Sequence, residues 1–190
     1  MALVLGVALA GCTGDNTATP TTTPTVSPST SPTPTLSPTP EAPQPPVRPE
    51  AMATNDEAGA VAAAQYFMGD LYWYMYATGD SAEWEVLADD GCIFCSNVLS
   101  DVGAMVAAGS TDIGQAPRFE TSYGTTISER ERFTATVTAN QPASQRVTAD
   151  GTVIDESAGG RYELHFAIRW QGTDWSILAV DATRLDEPSA

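Results

Sequence analysis

The apolar pattern of this chain changes period once, near Pro117, and that change restricts its fold more than any other feature. Before it, Val61, Ala64, Phe67/Met68, Leu71/Tyr72 and Met75 recur at three- and four-residue steps. That spacing predicts an amphipathic helix over 55–77, stopped near Gly79. Thr54-Asn55-Asp56-Glu57 reads as a capping box with Thr54 as N-cap. Ser81 can open a short second helix over 82–89 that turns Trp84 and Leu87 inward. A third follows over 93–108, with Val98, Val102, Met105 and Val106 inward and Gly109 as its stop. After Pro117 the period is two. Strands are expected over 119–128, over 133–139 (Phe, Ala, Val and Ala inward, Thr outward), over 145–154 with Asp150-Gly151 as a hairpin turn or bulge, over 162–170, and over 175–180. Helices first and a strand meander after predicts an α+β fold, with the helices packed on one face of a curved antiparallel sheet.

The first quarter of the chain cannot join that fold. Residues 13–50 are Thr, Ser and Pro with almost nothing apolar, and eleven of the fourteen prolines stand there. Such a segment cannot bury enough surface to offset its ordering entropy. Frequent proline favours extended polyproline II, so it serves as a spacer reaching on the order of 100 Å when stiff. Dense Thr and Ser beside Pro also suit O-glycosylation, and a Pro-rich ligand for a recognition domain is the alternative reading.

Ahead of the spacer, Leu3-Val4-Leu5-Gly6-Val7-Ala8-Leu9 is a short apolar run ending in small residues, the pattern of a secretory leader and too short to span a bilayer. Leu9-Ala10-Gly11-Cys12 resembles the lipobox of bacterial lipoproteins. The resemblance implies cleavage before Cys12 and attachment of lipid there. It places the protein on the outer face of the cytoplasmic membrane, in the cell envelope. The organisation expected is a lipoprotein signal peptide over 1–11, a lipidated Cys and spacer over 12–50, one domain over 51–185, and a tail over 186–190.

All eight basic residues are Arg, a usage consistent with high-GC coding. Residues 51–185 hold 19 acidic residues and 7 arginines, a balance of −12. That field argues against nucleic acid and against docking on anionic lipid. It suits cationic or neutral ligands, or solubility alone.

The element order resembles the nuclear-transport-factor-2-like fold: a long helix, the Gly79-Asp80 turn, a short helix, another helix, then antiparallel strands ending in the Trp170–Trp175 hairpin. The whole chain is similar to an actinobacterial lipoprotein family of unknown function. The match rests on the lipobox, the Thr/Pro spacer, a helix running into Tyr76-Ala77-Thr78-Gly79-Asp80, and a Cys-x-x-Cys after the second helix. It implies no established activity.

Three sets of residues carry possible chemistry. Cys92 and Cys95 remain once Cys12 is lipidated, and outside the membrane an even pair reads as a disulfide. Its place between two helices, with an Ile-Phe centre, suits a structural bridge better than a redox dithiol. Two Cys and a distant His make no zinc site, and no cofactor or metal is expected. His165, the only histidine, falls on the strand face opposite Tyr162, Leu164, Phe166 and Ile168, and is expected in solvent. Folds of this kind often hold a pocket between long helix and sheet. In ketosteroid isomerase and polyketide cyclases, which share the resemblance, a carboxylate and a Tyr transfer protons there. Tyr66, Tyr72, Tyr76 and Asp70 are the candidates here, against the plainer reading that these aromatics are core. The chain is read as a non-catalytic module that binds a small ligand or another envelope protein. The alternatives are a small-molecule isomerase or cyclase, or an envelope thiol-disulfide protein.

Overall fold

Asp56, not Thr54, caps the first helix: its side chain accepts from the Gly59 amide at 2.8 Å. Thr54 stands one step back and donates its hydroxyl to Asp56 Oδ1 at 2.9 Å. Both contacts hold the Asp56 carboxyl below its usual range, the Gly59 amide most. Glu57 is therefore free of a capping box and reaches across to Thr126, accepting from its amide at 2.9 Å and its hydroxyl at 3.0 Å.

The computed structural model describes residues 43–128 and 131–185. The leader, Cys12, most of the spacer and the 186–190 tail lie outside the described residues. Helix α1 (Glu57–Tyr66) runs through a π-helical segment (Phe67–Leu71) into α2 (Tyr72–Thr78), ended by Gly79 at φ 79°. Helices α3 (Ala82–Leu87) and α4 (Ile93–Ala107) follow. Asp80 rather than Ser81 supplies the acceptor at the start of α3, taking the Ala82 amide at 3.1 Å, while the Ser81 hydroxyl turns to Glu85.

Among the described residues, seven strands form two antiparallel sheets. The larger has the order β2 (Arg118–Ser128), β3 (Arg132–Gln141), β6 (Gly160–Trp170), β7 (Trp175–Arg184). The smaller has the order β1 (Ser110–Ile113), β4 (Ser144–Thr148), β5 (Val153–Ser157). The two share one long hairpin. Strands β3 and β6 pair as far as Gln141 with Gly160, and β4 and β5 resume pairing at Ser144 with Ser157. The break falls at Pro142-Ala143, facing Ala158-Gly159. Proline removes a ladder donor, and Gly159 sits at φ 72°, where a Cβ would lie 2.2 Å from the Gln141 carbonyl oxygen. Beyond the break the hairpin pairs with β1 instead of β2, so it leaves the plane of the larger sheet. The chain turns at Asp150-Gly151 at its tip.

The core lies between the helices and the inner face of the larger sheet. Trp84, Trp175, Phe67, Leu71, Met75, Phe166, Ile168 and Ile177 are fully buried. Phe67 stacks on Trp84 with centroids 3.6 Å apart, and Trp175 meets Phe133 and Trp170 edge-on. The Trp175 indole N–H donates to the Met52 carbonyl at 2.8 Å. The expected alternation in β3 holds for Phe133, Ala135, Val137 and Ala139, but Thr136 and Thr138 are buried too. Their hydroxyls bond across the sheet, Thr138 with Thr121 at 2.9 Å and Thr136 with His165 Nδ1 at 3.1 Å. Residues just before Glu50 lie on this body: Arg48 pairs with Glu83 and, at 2.8 Å, with Asp174.

Candidate functional site

An α-helix from Glu57 to Thr78 would put Tyr66, Asp70 and Trp73 on one side. The π-helical segment adds a residue to one turn and rotates every later turn of the helix. Gly69 lies inside it, where a Cβ would come 2.8 Å from the Phe119 ring. The side chains turned toward the bent hairpin are then Met68, Tyr72, Trp73 and Tyr76. They form one wall of a cavity of about 360 Å³. Phe94 and Asp101 of α4 and Asp112 of β1 close the second wall. Ala139, Arg146, Tyr162 and Leu164 of the bent hairpin form the floor and far side. Strand β5, exposed along its whole length, contributes Asp155, Glu156 and Ser157 to the rim.

Arg146 organises the polar end. Its Nε donates to Asp112 Oδ1 at 2.8 Å, and one terminal nitrogen reaches Asp112 Oδ2 at 3.3 Å and Asp101 Oδ2 at 3.4 Å. The cross-strand register sets Asp112 directly opposite Arg146. The guanidinium carbon stands 5.7 Å from the centroid of the Tyr76 ring. Tyr76 donates its hydroxyl to Asp101 Oδ2 at 2.8 Å. Tyr72 packs on Tyr76 with centroids 4.7 Å apart. Burial is the main reason both phenols hold their protons above the usual tyrosine range, and for Tyr76 the neighbouring Tyr72 and the Asp101 charge add to it. The two Asp carboxylates in turn hold Arg146 firmly charged.

Of the four pocket candidates, Tyr72 and Tyr76 line this cavity and Tyr66 and Asp70 do not. Tyr66 lies before the π-helical segment and Asp70 within it, and both face away from the side that carries Tyr72 and Tyr76. Asp70 is exposed on the outside of the helix. Tyr66 is buried elsewhere, its hydroxyl donating to the Pro46 carbonyl at 3.3 Å beside the Arg48–Glu83 pair. Burial, then the Glu83 charge, push its hydroxyl up to about 12.

Among the cavity residues that sequence reading missed are Asp101, Asp112, Arg146, Asp155, Glu156 and Tyr162. One trace of them was present: Arg146 is the only cation between Arg132 and Arg161. Its main partner, Asp112, lies on β1, a four-residue strand whose Ser-Thr-Asp-Ile carries no period-two signal.

Cys92 and Cys95 are bonded to each other, and both are buried at the start of α4. Cys92 Sγ also accepts from the Cys95 amide at 3.2 Å, which caps the helix. His165 is exposed on the outer face of the larger sheet, with Nε2 3.0 Å from Glu163. Among the described residues no group of three or more His, Cys, Asp or Glu is placed to hold a metal ion, and no helix is long and apolar enough to cross a membrane.

The chain belongs to a family of unknown function, DUF6318, whose model matches residues 32–181. No protein with a curated description matches it. Several solved structures are similar. The intermembrane space region of chloroplast protein ARC6 is 10% identical, with 68% of this chain and 98% of that one covered, at a TM-score of 0.48. A protein of Caulobacter vibrioides, described as uncharacterised with a cystatin-like fold, is 14% identical, covering 67% and 91%, at 0.43. A protein of Novosphingobium aromaticivorans, described as NTF2-like with a cystatin-like fold, is 16% identical, covering 66% and 84%, at 0.38.

Proposed function

We propose that this protein is a membrane-anchored envelope lipoprotein whose domain binds a small ligand in the cavity between α2 and the bent hairpin, without catalysing its conversion. The observation that carries the binding reading is the cavity itself. It encloses about 360 Å³, within the range of ligand pockets, with an apolar lining and a few convergent polar groups. Those groups support binding over proton transfer. Asp101 and Asp112 are both engaged by Arg146, and burial holds the protons of Tyr72 and Tyr76. General acid–base work at neutral pH calls for a group poised to exchange a proton there. The buried Cys92–Cys95 bridge supports a structural role over thiol exchange, which needs an accessible sulfur.

The anchor reading rests on Leu9-Ala10-Gly11-Cys12 and the Thr/Pro spacer. Cells making the full chain and fed an alkyne-bearing fatty acid test it. The expected result is label on the chain and its recovery with membranes, both lost in Cys12→Ala. Equal partition of the two forms without label would remove the anchor. For the cavity, Ala139→Phe fills the floor. It is expected to abolish binding of any small aromatic that shifts the amides of Tyr72 and Tyr76 in the parent protein. Binding that persists unchanged would place the ligand elsewhere.

A further inference from the structure

The charge around the cavity is unbalanced, and the imbalance selects among ligands. Asp101, Asp112, Asp155 and Glu156 contribute four carboxylates, against the single guanidinium of Arg146. Arg146 is occupied: it bonds both Asp112 oxygens, reaches Asp101, and lies over the Tyr76 ring. Among the described residues neither Asp155 nor Glu156 has an ion-pair partner; Glu156 accepts only the Gln145 amide, at 2.7 Å. An anionic ligand entering here meets three negative charges in excess and a cation already held by two Asp.

The remaining walls are independent of that count and point the same way. Tyr72 and Trp73 present ring surface, and Met68 and Leu164 are apolar, whereas the Tyr162 ring already holds the Arg184 guanidinium 5.7 Å from its centroid. Ring faces attract weakly hydrated cations, about 0.5–2 kcal/mol each depending on desolvation. A bare metal ion fits poorly, because no cluster of ligating side chains exists among the described residues. A neutral apolar ligand would gain the rings but leave the rim carboxylates without a partner. The net charge of −16 on the whole chain also concentrates small cations around it.

We propose that the cavity takes an organic cation: an amine or quaternary ammonium on a small apolar or aromatic body, its charge toward Asp155 and Glu156 and its body against Tyr72 and Trp73. This rests on the small-ligand reading above and adds the ligand's charge.

Three one-ring probes separate the two claims: benzyltrimethylammonium, benzyl alcohol and benzenesulfonate, each titrated into the ¹⁵N-labelled full-length chain. The expected result is that the cation shifts amides of α2, β5 and β6 and binds about tenfold more tightly than either other probe. Raising salt should weaken the cation several-fold and leave benzyl alcohol unchanged, because the rim is solvent-exposed and screened. The double substitution Asp155→Asn with Glu156→Gln, on the exposed strand, should weaken only the cation. If benzyl alcohol or benzenesulfonate binds as tightly as the cation, the charge assignment is overturned and the cavity reading stands. If none of the three shifts an amide of α2 or β6 at millimolar concentration, the small-ligand reading fails and this inference fails with it.

Discussion

The two sheets of this domain share one hairpin and are covered very differently. Along β3 and β6 the inner side chains are buried, with α1 lying over β3, and the core beneath the helices is filled by Phe67, Trp84, Phe166 and Trp175. Along β4 every residue is half-buried, and along β5 every residue is exposed. The difference begins at one place, the break at Pro142-Ala143 and Ala158-Gly159. A sheet that stays in plane under the helices closes a core. A sheet that bends away from them keeps its strand pairing but leaves room, and polar residues can then face inward because solvent reaches them.

Substitutions in the two halves test that contrast. Trp175→Ala, in the filled half, is expected to cost about 3–5 kcal/mol, whereas Tyr162→Ala, beside the cavity, should cost about 1 kcal/mol. Urea unfolding of both variants measures it, and similar costs would mean the two halves are equally packed. Next in size is the bridge at the start of α4. Cys92→Ala with Cys95→Ala should lower stability by about 2 kcal/mol, from the loop-entropy model for so short a loop. With both sulfurs buried, a reductant is expected to act only at the rate of unfolding.

Alkali probes the tyrosines of both regions. In the unfolded chain a tyrosine ionises near pH 10. In the fold Tyr66 holds its proton up to about 12, and Tyr72 and Tyr76 are also raised, burial being the first cause in each. Below pH 10 both states keep these protons, so the stability they contribute is fully present. From there upward the unfolded state loses protons that the fold retains, and stability falls until the folded groups ionise too. Urea midpoints at pH 9 and pH 11 should therefore drop, less so in Tyr66→Phe. A midpoint unchanged over that span would show these hydroxyls to be hydrated. The smallest effect is expected on the outer sheet face, where His165→Ala should change stability by less than about 0.5 kcal/mol by thermal melting.

Much of this architecture was legible in the sequence because long elements repeat their signals. The three helical stretches over 55–77, 82–89 and 93–108 and the strands carrying Phe133, Phe166 and Trp175 follow clear periods, and His165 fell where the alternation of β6 put it. The four-residue β1 was not legible, because it is too short to show a period. The site was legible only in part. Tyr72 and Tyr76 came from the aromatic load of the helix. Tyr66 and Asp70 were grouped with them through the resemblance to folds that hold a pocket between long helix and sheet, and the rotation of the helix, which decides what faces the pocket, is not written in its spacing. Asp101 and Asp112 are ordinary surface acids until Arg146 is placed between them, and that placement depends on which strand the bent hairpin chooses to pair.

The extra residue in the Phe67–Leu71 turn sets which way α2 faces. Deleting one codon there would leave a continuous α-helix and turn everything after it by about 100°, carrying Tyr72 and Tyr76 off the cavity while α1 kept its place on the sheet. A one-residue change of length at this spot is thus expected to take the aromatic wall from the cavity while leaving the filled core in place.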